Sequence, residues 1–407
     1  MKKIFLIGLL TLFLYPLSAD GVSVNYSFVV LPLFFLLTGR PLRKPPLLFL
    51  ILIGWYAIVF VIAALYQYDL HVEGFRRIAS FMVFMSMFSY AIIRLDSDLV
   101  EAFKGAVILI SIIMSVASVF LFLSLGGSAL GFQAKDVVGT QRFGFIYILA
   151  LWILYFFAPS GGYGTLFRYG SIVLILVGLL LTFSRTSVVA LGGTIGLFAL
   201  GRWVQWLRAP TLKRTTTGVA AVFGAAVLAV IILTAFPLTY DFFESRIVEF
   251  AMDPGAVSED LEEEGSAGTR LAILRRVLDY VASNPVTGSG YLGVWTLFQG
   301  FAGSAHNQYA DVLFRTGVVG FTAYCFLLFL IGLYLRRRDR GLFWGFLGIV
   351  FYGVFHETFK ESQGAFVLTF LLGMTAQAPR AVVRKIPAAA RHDEVSVSAG
   401  GALPMQT

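Results

Sequence analysis

Apolar runs of membrane length leave this chain few folds to choose from. Twelve of them lie at roughly 4–19, 24–38, 47–66, 77–95, 104–125, 143–158, 169–183, 187–201, 217–236, 309–335, 341–356 and 363–378. Many approach or exceed the ~20 residues that a helix needs to cross a bilayer. Hydrocarbon cannot satisfy open backbone groups, so such runs must be helices. Charged residues make up 13% of the sequence, about half the ~25% of a soluble domain. The expected fold is all-α: a polytopic integral membrane protein with about 12 transmembrane helices, its 40 Phe and 17 Tyr suiting a lipid-facing bundle with aromatic belts. The first run also has the look of a cleavable signal peptide. Leu17 is a poor residue three positions before a cut after Ala19, where a small side chain is preferred, so the run is read as a retained helix. Cleavage would leave eleven.

The polar connections alternate in charge. Lys2, Lys3, Arg40, Arg43, Lys44, Arg94, Lys104, Arg168, Arg202, Arg208, Lys213, Arg214, Arg336 to Arg338, Arg340, Arg380, Arg384, Lys385 and Arg391 fall on one side. That is twenty of the 31 basic residues, accompanied by six of the 23 acids. The positive-inside rule places this side in the cytoplasm, with both termini. The formal charge of +8 then reflects orientation in an inner membrane rather than nucleic-acid binding. The single cysteine, Cys325, excludes an internal disulfide and a cysteine zinc cluster.

The expected organisation is a transmembrane domain over 1–385 and a disordered, cytoplasmic, polar tail over 386–407. The longest connection, 237–308, joins the ninth and tenth helices on the outer, periplasmic face. Structureless loops beyond ~15 residues are usually functional or disordered. Within it, an amphipathic helix is predicted from Thr269, with Leu271, Leu274, Leu278 and Val281 on its apolar face. Asn284-Pro285 ends it.

Ionisable residues at the outer ends of membrane helices are costly and mark functional candidates. Arg142 lies in Gly139-Thr-Gln-Arg-Phe-Gly144. Arg185 lies in Leu181-Thr-Phe-Ser-Arg-Thr-Ser187, a short turn between two membrane helices, where a permanently charged planar fork could grip an oxyanion. Its plain alternative is snorkelling to headgroups. Arg270 opens the helix in the long loop. His306 lies in Ser304-Ala-His-Asn-Gln-Tyr309, and an imidazole titrating near ~6.5 could accept a proton at neutral pH. His356-Glu357 on the next outer loop reads as interfacial. Arg275 and Arg276 read as surface charges. Asp96-Ser-Asp98 resembles a metal-binding pair, but Asp98 followed by Glu101 reads as a helix capping box. Gly288-Ser-Gly290 lacks the rest of a phosphate loop and is a turn signal.

Three segments together resemble the superfamily of O-antigen ligases and O-antigen polymerases: Leu181 to Ser187; Gly268-Thr-Arg270 through Asn284-Pro285-Val-Thr-Gly288-Ser-Gly290-Tyr; and His306-Asn-Gln-Tyr309 with Arg315-Thr-Gly-Val-Val-Gly320. They occur in the family's order over about 180–320, with the long outer loop in its family place. The resemblance implies a membrane glycosyltransferase that moves a glycan from an undecaprenyl-diphosphate carrier to an acceptor hydroxyl at the periplasmic membrane face. It implies no metal, cofactor or nucleotide sugar. His306, Arg185 and Arg270 are its expected catalytic residues, with Arg142, Asn307 and Tyr309 in substrate binding. The partners are the undecaprenyl-diphosphate-linked oligosaccharide and either a second lipid-linked glycan, for a polymerase, or the lipid A core, for a ligase. The short His306 segment favours the polymerase. A secondary transporter is the competing reading from another class. Twelve helices fit it, but a long, late outer loop and ionisable residues at the outer face do not.

Overall fold

The computed structural model describes residues 2–14, 18–19, 22–23, 40–41, 50, 54–58, 61–62, 93–94, 97–124, 144–157, 161–182, 184–208, 267–297, 305–358 and 362–376. Besides helical residues at 50, 54–58 and 61–62, these include, in order, α1 (Lys2–Leu14), α2 (Ser97–Ser124), α3 (Gly144–Phe156), α4 (Gly161–Leu181), α5 (Arg185–Arg208), α6 (Ala267–Ser283), α7 (Gln308–Arg338), α8 (Arg340–Tyr352) and α9 (Ser362–Ala376). Eight of the twelve apolar runs carry one of these helices, and α6 is the predicted loop helix. The runs at 24–38 and 217–236, most of those at 47–66 and 77–95, the acidic part of the long loop and the tail lie outside the described residues. Among the described residues four helices are long and apolar enough to cross a membrane: Asp98–Ser124, Gly161–Leu181, Thr186–Val204 and Gln308–Arg338. Exposed Val173, Val177, Val189 and Ile195 on α4 and α5 fit a lipid-facing surface. The chain is a helical, multi-pass membrane protein.

Boundaries differ from the sequence reading in several places: α4 starts at Gly161 rather than near 169, so Arg168 lies within it, and α5 runs on to Arg208. The first helix ends at Leu14, and Ser18–Ala19 pair antiparallel with Val22–Ser23. Ile93–Arg94, expected at the end of a helix, pair antiparallel with Arg40–Pro41. α2 begins at Ser97, so Asp98 lies inside its first turn instead of capping it. Glu101 does not reach back as a capping box requires; its carboxylate accepts from Lys104 Nζ at 2.7 Å.

At the centre of the bundle is α3, buried without a break from Gly144 to Leu154. A helix apolar all round belongs in a core. Its 13 residues span about 20 Å, well short of the ~30 Å hydrocarbon layer, so α2, α4, α5 and α8 enclose it. α8 runs antiparallel to α3: Gly341 faces Ile153, Gly345 faces Leu149, Gly348 faces Ile148, and the Tyr352 ring lies 6.1 Å from that of Phe145. A side chain at Gly345 would run into Leu149. In a membrane, where packing rather than water exclusion drives helix association, small residues earn such close approach.

The two ends of the bundle differ. At one, Lys104 Nζ bonds Asp339 at 2.7 Å, tying α2 to the junction of α7 and α8. Arg168 donates to the Tyr155 carbonyl at 2.9 Å, and Arg202, Arg336 and Arg340 line one cavity. Five of the residues that the charge pattern assigned to one face, Lys104, Arg168, Arg202, Arg336 and Arg340, therefore lie at one end. The turns between helices at the opposite end carry the motif residues.

Candidate functional site

Ser184 starts α5. Its carbonyl accepts from Val188 N at 3.2 Å and its Oγ accepts from Ser187 N at 3.3 Å, the bonds of a helix N-cap. Ser187 Oγ donates to Ser184 Oγ at 2.9 Å, and both side chains are buried. Thr182 closes α4 by donating to the Leu179 carbonyl at 2.7 Å. Thr182, Ser184 and Ser187 thus bond through their hydroxyls at this junction, and Arg185 is the first residue of α5. A helix start carries a partial positive charge that suits an anion.

Other helix starts gather nearby. Gly144, the first residue of α3, leaves no room for a Cβ beside Ser187 Oγ and the Tyr352 ring. Gln308 N, at the start of α7, donates to the Gly353 carbonyl at 2.8 Å. The N-terminal ends of α3, α5 and α7 are therefore drawn together around the last turn of α8. Backbone N–H groups at such ends have no partner within the helix and suit an anion.

His306 precedes α7, half-buried, with φ +49°. The left-handed region is unusual for a residue with a Cβ. Both neighbours fix it there. Asn307 is the N-cap of α7, its Oδ1 accepting from Tyr309 N at 2.9 Å and Ala310 N at 3.0 Å. Ala305 N donates to the carboxylate of Glu357. Glu357, expected at the membrane interface, is instead buried and bonded to the segment that presents His306. His356 lies with its ring 5.4 Å from that of Tyr352. Tyr309 Oη donates to the Val350 carbonyl at 2.7 Å, tying α7 to α8.

Arg270 belongs to the first turn of α6. That helix buries Ile273, Val277 and Val281 in a second core with Val294, Ala305, Ala310 and Phe314. The expected stripe is rotated: Leu278 is 49% exposed. Arg275 and Arg276 are exposed, as expected. Arg142 lies outside the described residues.

The glycine motif after α6 is a clip on α7. Gly317, at φ +65° and ψ −174°, breaks that helix. The segment from Pro285 to Tyr291 satisfies the backbone groups the break exposes: Ser289 N donates to the Phe314 carbonyl at 2.7 Å, Tyr291 N to the Arg315 carbonyl at 2.9 Å, and Val318 N to the Pro285 carbonyl at 2.8 Å. Gly288, at φ +58°, packs against the Phe314 carbonyl without room for a side chain. Arg315 is buried and paired with Asp311 at 2.8 Å, and its Nη1 donates to the Tyr291 carbonyl at 3.0 Å. Tyr291 Oη donates to the Tyr56 carbonyl at 3.0 Å, and burial pushes its phenol far above the usual value, so it stays a donor. The turn expected at Gly288-Ser-Gly290 is present and its role is packing. Sequence reading missed the Asp311–Arg315 pair, although its four-residue spacing on a helix signals one.

Residues 170–325 match the family model described as O-antigen ligase. Over these residues the chain is similar to O-antigen ligases. No curated protein matches it. The matched stretch runs from within α4 through α5, α6 and the clip to Cys325 in α7, and takes in Arg185, Arg270, His306, Asn307 and Tyr309. Arg142 and Glu357 stand outside it. The resemblance to the superfamily of O-antigen ligases and polymerases read from the sequence is borne out by this match.

Proposed function

We propose that this protein transfers a glycan from an undecaprenyl-diphosphate carrier to an acceptor sugar hydroxyl at the periplasmic face of the inner membrane, as a polymerase of O-antigen or exopolysaccharide repeats. One observation carries the reading: inside the stretch that matches this family, an arginine at a helix start shares one end of the bundle with a histidine held in a left-handed turn. The acceptor oxygen attacks the anomeric carbon, the bond from that carbon to the diphosphate breaks, and the configuration inverts. Arg185 and Arg270, with Arg142 as a third, neutralise charge on the leaving diphosphate, where it grows most in the transition state. His306 orients the acceptor hydroxyl and takes its proton, a contribution of typically ~10²–10⁴-fold. Asn307 and Tyr309 complete the substrate contacts. With Asn307 Oδ1 bonded in its cap, its Nδ2 hydrogens face that task; with Tyr309 Oη donating to α8, the ring does. The reaction needs no metal or cofactor in this reading.

The family description favours a second reading, a ligase with lipid A core as acceptor. Purified protein incubated with a lipid-diphosphate oligosaccharide, with and without lipid A core, separates them. A ladder on the carrier is expected. Glycan on the core alone would assign the ligase, and intact donor in both mixtures would defeat the transferase reading.

A further inference from the structure

A cavity of about 480 Å³ lies at the basic end of the bundle, away from the candidate site, lined by Phe156, Phe198, Arg202, Arg336, Arg340 and Trp344 among others. Its size is within the ~300–1,000 Å³ of small-molecule sites. None of the described residues lining it is acidic. The nearby carboxylate of Asp339 is engaged by Lys104 at 2.7 Å. Three guanidinium-bearing side chains therefore border one recess with no carboxylate in its wall. Arg202 is steered over the Phe198 ring, 5.3 Å from its centroid.

The floor is aromatic and fixed. Trp344 stacks on Trp152 at 5.4 Å and meets Phe198 edge-on at 5.2 Å. Trp152 in turn is anchored by Nε1 donating to Thr194 Oγ1 at 3.2 Å. The arginines are exposed while the rings are half-buried. A free inorganic anion would satisfy the arginines and leave the rings wet. An occupant with a phosphate at one end and hydrocarbon at the other satisfies both. The walls come from the C-terminal ends of α3, α5 and α7 and from α8; α5 and α7 are long and apolar enough to cross a membrane, and the ends of such helices meet lipid headgroups.

We propose that this cavity binds the headgroup of an anionic phospholipid, its phosphate held by Arg202, Arg336 and Arg340 and its glycerol and first acyl carbons on Phe156, Phe198 and Trp344. The site is separate from the transfer chemistry and stands or falls independently of it.

Native mass spectrometry of the delipidated full chain, titrated with phosphatidylglycerol or phosphatidylcholine, tests this. Wild type should bind one phosphatidylglycerol at least tenfold more tightly than phosphatidylcholine. The double variant Arg202→Gln/Arg340→Gln should lose that preference. Arg338→Gln removes a charge beside the cavity, where the guanidinium lies over Tyr334, and should stay within twofold of wild type. If Arg338→Gln and Arg202→Gln weaken binding equally, surface charge alone is responsible and the site is overturned. Arg202→Lys keeps both charge and membrane orientation but loses the planar fork. It should weaken binding severalfold, and wild-type affinity in that variant would also overturn the site. Displacement of the lipid by 10 mM inorganic phosphate would make the occupant a free anion and defeat the lipid assignment.

Discussion

Arg185 and His306 divide the proposed chemistry, so single substitutions should separate it. Arg185→Lys keeps the charge at the first position of α5 but loses the bidentate fork. Transfer should fall by about 1.5–3 kcal/mol in barrier terms, with weaker binding of the lipid diphosphate. Normal transfer by this variant would favour snorkelling, because lysine also reaches headgroups. His306→Ala should abolish most transfer while donor affinity stays near wild type. Glu357 acts one step further back, through the backbone of Ala305. Glu357→Ala leaves a buried amide without its acceptor, worth about 1–3 kcal/mol. Glu357→Gln retains an acceptor oxygen and should keep most activity. Equal loss in both variants would point to the carboxylate's charge rather than to its hold on the His306 turn. If the arginines neutralise the diphosphate unaided, transfer should also survive EDTA; activity lost in chelator and restored by Mg²⁺ would show that a cation shares that task.

The elements were legible in the sequence to differing depth, for identifiable reasons. The turn at Leu181 to Ser187 was legible between two apolar runs, and α5 starts inside it at Arg185, two residues ahead of the expected 187. For α6 the period was right and the face only in part, since Leu274 and Val281 pack in the second core while Leu278 is exposed. Leu271, Leu274, Leu278 and Val281 share a stripe, but Ile273, Val277 and Val281 share another, and only packing on α7 chooses between them. Glu101 was misread because Lys104, three residues on, offers a partner that local cap rules do not weigh. The clip was illegible because it joins residues about thirty positions apart, and glycine spacing reveals a turn without revealing what it docks on. Gly317→Ala tests that docking. Its φ and ψ fall where essentially only glycine is found, at a strain of about 1–3 kcal/mol for other residues, and its Cβ would meet the Val286 carbonyl. The variant should lower the melting temperature in detergent and speed proteolysis between Asn284 and Tyr291. An unchanged melting temperature and cleavage rate would mean that the clip contributes little to holding α7.

At the scale of the whole molecule, the positive-inside argument gains a physical check. The basic residues grouped by sequence are spread over distant connections, yet Lys104 meets Asp339, and Arg202 shares a cavity with Arg336 and Arg340. These residues must lie on one side of the membrane together, whichever side that is. The Ser184 turn and the His306 segment lie at the other end, linked through Tyr352 and Gly353. Periplasm-active reporters fused after Arg208 and after Arg340 should therefore agree with each other and be silent. One fused near Glu262, between the ninth predicted helix and α6, should be active. Activity after both arginines would turn the bundle over and place the proposed transfer on the wrong face for a periplasmic product. Disagreement between those two fusions would be a different failure, since it would separate residues that line one cavity and contradict the packing of α5 against α8.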